Sequence, residues 1–124
     1  MFLTHSEKTA IILALTGLIK IEDDQTDART VQLIKLQKEF GISMDDIQYA
    51  LSKGADFCLT LQQMNEEKKL YLFHLLCLYS LGTDGRFNKE VQQIILSVSR
   101  AAHMSDELIQ KGLNRFKQFI EKNI

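Results

Sequence analysis

The sequence predicts an all-α fold of about seven helices, built as two degenerate helical repeats packed around a central apolar helix, and three observations carry that expectation. The first is the stretch 70–81, Leu-Tyr-Leu-Phe-His-Leu-Leu-Cys-Leu-Tyr-Ser-Leu, whose apolar run only His74 and Ser80 interrupt. A helix that is apolar all round is either a membrane span or the centre of a core. This one is shorter than the roughly 18–20 apolar residues a bilayer crossing needs, and Glu66, Glu67, Lys68 and Lys69 stand directly before it. The second observation is the absence of proline from all 124 residues. That suits helices punctuated by glycine, asparagine and serine, and it disfavours a sandwich or barrel with proline turns. The third is a self-match of the two halves at an offset of about sixty residues. A chain of this length forms one domain, here residues 1–124, with about two-thirds of its unfolded surface buried.

Taken in order, Thr4 and Glu7 form a capping box that opens helix 1 over 5–21. Ile11, Ile12, Leu15, Leu18 and Ile19 spread over a wide arc, so this helix sits deep. The acidic stretch 22–27 ends it, and Thr26 or Asp27 caps helix 2 over 28–40. There Val31, Leu33, Ile34, Leu36 and Phe40 share the inner face and Gly41 supplies the left-handed stop. Ser43, with Asp45 and Asp46 in the first turn, opens helix 3. Its Met44, Ile47 and Leu51 are expected to face inward, and Gly54 ends it. Residues 55–64 form a short helix or irregular crossing. Asn65 caps the central helix and Gly82 closes it. After the Asp84-Gly85 turn, Asn88 caps helix 6 over 89–103, with Val91, Ile94, Ile95 and Val98 buried. Ser105 opens helix 7, where Ile109, Leu113, Phe116, Ile120 and Ile124 keep helical spacing. Lys111, Arg115, Gln118 and Lys122 lie on its solvated side.

Composition excludes several function classes. A net charge of −1 lacks the electrostatic footprint of non-specific nucleic-acid binding. Cys58 and Cys77 stand in apolar surroundings, the pattern of buried thiols in a reducing compartment, so a cytoplasmic location is expected. The apolar run 10–21 has no basic region before it and no small-residue cleavage site after it, and it reads as a core helix instead of a leader. No glycine-rich phosphate loop, paired-carboxylate motif or serine elbow is present, so no enzyme is expected.

The repeat has a definite form: helix, acidic loop, helix, serine-capped turn, helix. Leu15 aligns with Leu76, Asp23 with Asp84, Gln32 and Ile34 with Gln93 and Ile95, and Asp45 with Asp106. Repeat 1 covers about 5–54 and repeat 2 about 65–123. In this arrangement the chain resembles the TerB-like family, the helical module named for bacterial tellurite resistance. In that family an apolar helix is followed by Asp-Gly and an acid-rich start to the next helix. Asp84-Gly85, Asn88 and Glu90 keep part of the pattern, whereas Lys89 and Val91 depart from it. In the first unit Asp23 and Asp27 remain, while Asp24 replaces the glycine and Arg29 and Thr30 replace acids. The resemblance implies a bacterial stress-response or envelope-linked role, cation binding at the loops, and service as a helper domain. The absence of proline removes the His-Pro-Asp signature of a J-domain, so the partner is expected to be another protein.

Asp23, Asp24, Asp27, Asp84, Asn88 and Glu90 are thus the candidate ligands for a divalent cation. Neither loop has EF-hand spacing, since Arg86 falls where the second ligand belongs. Capping of helix N-termini explains the same acids and is preferred. His74, Cys77, Cys58 and His103 contain one i, i+3 pair, which falls short of a structural zinc site. No resident cofactor is expected. The expectation is a non-enzymatic interaction or scaffold module with a protein partner, its acidic loops serving as partner or cation contacts. The alternative is a small-ligand or metal-sensing protein with a pocket between the two repeats.

Overall fold

The computed structural model describes residues 1–19, 26–52, 57–81 and 89–123, with the side chains of 17–19 and 26–29 outside that description. Among these residues the chain is all-α, with no strand. Its helices are α1 (His5–Ile19), α2 (Thr26–Phe40), α3 (Met44–Ser52), α4 (Phe57–Gln63), α5 (Glu66–Ser80), α6 (Lys89–Ala101) and α7 (Asp106–Asn123).

Local chemistry accounts for where these helices start. The Thr4 amide donates to Glu7 Oε1 at 2.8 Å and the Glu7 amide donates to Thr4 Oγ1 at 3.1 Å, a reciprocal box at the head of α1. Ser43 and Asp46 repeat it at α3, with bonds of 2.9 and 3.0 Å. Asn65 Oδ1 accepts from the Lys68 amide at α5, and Ser105 Oγ from the Leu108 amide at α7. The segment 55–64, expected to be helical or irregular, contains the short helix α4. α5 ends at Ser80, where the Leu81 amide donates to Cys77 O.

Two corners share one geometry. Gly41 takes φ 69° after α2, and the Gly41 and Ile42 amides donate to Lys38 O and Gln37 O. His103 takes φ 60° after α6, and the His103 and Met104 amides donate to Arg100 O and Ser99 O. Both are Schellman closures, with Ile42 and Met104 buried at the position that normally packs back on the helix. A left-handed L-residue costs about 1–2 kcal/mol, against roughly 0.5–1 kcal/mol of extra chain entropy for glycine. His103→Gly is therefore expected to stabilise the fold by up to about 1 kcal/mol, read as a rise in denaturant midpoint. At Gly41 an added Cβ would meet nothing within 4 Å, so the cost of Gly41→Ala is purely backbone. It is expected to lower stability by about 1 kcal/mol.

The core gathers on α1 and α5, which pack against each other. Ile11, Ile12 and Leu15 of α1 share one buried cluster with Leu72, Phe73, Leu76 and Cys77 of α5, Leu61 of α4 and Val91 of α6. α2 and α4 cover other sides of α1, and α6 and α7 cover α5. The cover of α5 is incomplete. Leu78 is exposed, and Tyr71 and His74 are half-buried, so the central helix reaches solvent along one side. Tyr79 Oη donates to Gln32 O at 3.3 Å, joining α5 to α2, and Gln62 Nε2 donates to Ala101 O at 2.9 Å, capping α6 from α4.

Four expected core positions lie elsewhere. Val31 and Ile34 of α2 are 54% and 47% exposed, and Met44 and Leu51 of α3 are 58% and 59% exposed. α3 buries no residue fully, and Ile47 alone of its apolar stripe packs against the core. The reason is competition for α1, whose surface is occupied by α2, α4 and α5 and leaves α3 only a marginal seat. The aligned positions Leu15 and Leu76 are both fully buried, whereas exposed Ile34 departs from buried Ile95.

Candidate functional site

Of the candidate cation ligands, Asp23, Asp24, Asp84 and Asn88 lie outside the described residues, as does the side chain of Asp27 in the first turn of α2. Glu90 sits exposed in the first turn of α6, where a carboxylate complements the helix dipole. Among the described residues no three His, Cys, Asp or Glu side chains converge to hold a metal ion. That applies to His74, Cys77, Cys58 and His103: the last is exposed and serves the α6 corner. Burial pushes the Cys77 thiol up to about 12, so it stays protonated and inert at neutral pH. His74 meets the stacked pair Phe116 and Phe119 edge to face, with ring centroids 5.6 and 4.8 Å away. Burial holds its pKa below the ordinary histidine value and favours the neutral ring.

The best-formed concavity is a groove of about 400 Å³ between α1, α3 and α4. Ser6, Thr9, Ala10 and Leu13 of α1 form its floor at i, i+3, i+4 and i+7. Three of these are small, which is what leaves the space open. Tyr49 and Ala50 of α3 form one wall, and Phe57 and Thr60 of α4 the other. Thr9 Oγ1 is turned away from solvent and donates to His5 O at 2.9 Å. At the rim, His5 Nε2 stands 3.9 Å from Asp46 Oδ2. The Ser43 amide, then its hydroxyl, hold the Asp46 carboxyl below the usual carboxylate range, with His5 adding to the effect. The groove therefore presents a fixed negative charge beside aromatic surface.

Other concavities are more polar or more open. One of about 460 Å³ lies between α5 and α7, lined by Met1, Tyr71, His74, Gly112 and the Glu67–Arg115 ion pair of 3.4 Å. An open groove of about 280 Å³ runs between α2 and α5, lined by Gln32, Lys35, Leu36, Glu39, Leu78 and Tyr79.

Sequence reasoning missed the residues that shape these features. The groove depends on α3 standing away from α1, which no local pattern encodes. Tyr49 and Phe57 stand in a helix and a crossing, respectively, with no motif around either. The one available signal was the run of small side chains at positions 6, 9 and 10, since small residues on an otherwise apolar helix mark either close approach or space.

Among the described residues no helix is long and apolar enough to cross a membrane. Comparison with known proteins brings no relative to this geometry: no family model, no curated protein and no solved structure matches the chain.

Proposed function

We propose that this chain is a non-enzymatic interaction module that docks a helix of a protein partner on the outer face of α3. The carrying observation is that Met44 and Leu51, at i and i+7, hold more than half their surface in solvent while keeping the spacing of a buried stripe. Amphipathic helices left open in this way are read by a partner helix at i, i+3 and i+7 anchors. Asp45 is exposed beside Met44, so a basic residue flanking the partner's apolar stripe would complement it. The proposal extends the TerB-like resemblance, in which a small helical domain of the bacterial cytoplasm serves a stress or envelope-linked complex. On this reading the acidic loops at Asp23 and Asp84 add a second partner or cation contact.

The paired variant Met44→Glu/Leu51→Glu tests it. Both side chains are exposed, so the stability is expected to change little, by about ±0.5 kcal/mol per site. Co-purification from cells that express the chain is expected to yield one recurring protein with the wild type and with Lys117→Glu, and to lose it with the paired variant. Retention of that protein by the paired variant would overturn the proposal.

A further inference from the structure

We propose that the groove between α1, α3 and α4 is a binding site for a small organic cation, a primary amine on an aromatic or aliphatic body of about 10–15 non-hydrogen atoms. Three features of the groove point to that ligand class. Its volume of about 400 Å³ falls within the ordinary size of small-molecule sites, roughly 300–1,000 Å³. Its lining is largely apolar, with Leu13, Phe57 and the ring of Tyr49 around a floor of small side chains. Aromatic rings favour a cation over a neutral or anionic group through their negative faces. The charge at the mouth has the matching sign, because Asp46 is the single acid among the described lining residues. That carboxylate is also placed: Oδ2 accepts from the Ser43 amide at 2.9 Å, so it is held at the N-terminus of α3 beside the groove. Its one basic neighbour in the lining, His5, stays 3.9 Å away, which leaves room for a better-placed ammonium to take over as its partner.

The groove is distinct from the docking face. Asp46, Tyr49 and Ala50 line the groove, whereas Met44 and Leu51 point to the other side of the same helix. A ligand in the groove and a partner on the stripe are compatible, and either can fail without the other.

Titration followed by backbone amide NMR at pH 8 tests the site with tryptamine, its near-isosteric alcohol tryptophol, and indole-3-propionate. Tryptamine is expected to give saturable shifts at His5, Tyr49, Phe57 and Thr60, with a Kd on the order of 1 mM or tighter for about twelve non-hydrogen atoms. Tryptophol is expected to bind at least about threefold more weakly, and the propionate more weakly again. Asp46→Asn keeps an oxygen to accept from the Ser43 amide but loses the charge, and it should bring tryptamine down to the tryptophol affinity. Ala50→Phe fills the groove from its half-exposed wall and should abolish the shifts from both, with a thermal melt confirming that each variant is folded. Equal affinity for tryptamine and tryptophol, undiminished tryptamine binding by Asp46→Asn, or shifts scattered away from the groove would each overturn the proposal.

Discussion

Phe73→Ala is expected to cost about 3–5 kcal/mol, the range for emptying a fully buried aromatic site, and to lower the melting temperature by roughly 10–20 °C. Phe73 is 1% exposed at the centre of α5 and packs against α7. What makes the site informative is Gly112. A Cβ built there would lie 2.6 Å from Phe73 Cδ1 and 3.1 Å from Cε1 and Cγ. Gly→Ala inside a helix ordinarily gains about 1 kcal/mol, yet overpacking a fixed core costs about 1–3 kcal/mol. Phe73 is walled in and cannot swing aside, so the clash wins and Gly112→Ala alone is expected to destabilise. In the Phe73→Ala background the same methyl enters vacated space and should become stabilising. Chemical denaturation of the four proteins in this double-mutant cycle checks the reversal of sign. Additive effects would mean that the α5–α7 contact does not limit the packing.

Lys68→Met is expected to destabilise by about 1–3 kcal/mol, well above the value of a surface ion pair. Lys68 Nζ donates to both Glu7 oxygens at 2.9 and 3.0 Å, and the two side chains are 18% and 11% exposed. Glu7 already accepts from the Thr4 amide, so the ammonium ties the capping box of α1 to the first turn of α5. Without Lys68 a mostly buried carboxylate keeps its desolvation and loses its counter-charge. Burial pushes the Glu7 carboxyl up, but the Thr4 amide and the Lys68 ammonium together outweigh it and hold the pKa below the ordinary value of 4.5. A carboxyl depressed in the folded state contributes stability above its unfolded pKa and loses it as pH falls through the folded value. Melting temperature should therefore drop on acidification below pH 4.5, and less steeply in Glu7→Gln, which keeps an acceptor for Thr4. His74 acts in a separate window. Its pKa is lowered by burial, so its contribution is present above about pH 6.5 and declines as pH falls below that value.

These two predictions rest on contacts of different legibility. The helices themselves were readable, because caps are local: Thr4 with Glu7, Ser43 with Asp46, Asn65 and Ser105 each sit within three or four residues of the amide they satisfy. The burial of Leu72, Phe73 and Leu76 followed from an apolar run too short for a bilayer. Glu7 and Lys68 lie 61 residues apart, and nothing in either neighbourhood marks the other. Gly112 carried a faint sign, since glycine inside a helix costs stability unless a close neighbour requires it. Periodicity misled at Val31, Ile34, Met44 and Leu51 for a definite reason. It reports that a helix has an apolar face, not that another element of the same chain covers it. α4 packs on α1 more closely than α3 does, and the stripe of α3 stays open. The candidates Asp23, Asp24, Asp84 and Asn88 belong to segments outside the described residues.

The open stripe is the claim on which the functional account turns, and site-specific photo-crosslinking tests it most directly. A photoreactive phenylalanine analogue would replace Met44, Leu51 or, as a control on the polar face of α7, Lys117, and the chain would be irradiated in the cells that make it. The account predicts the same cross-linked protein from positions 44 and 51 and none from 117. Products shared equally by all three positions, or no product from 44 and 51, would contradict it.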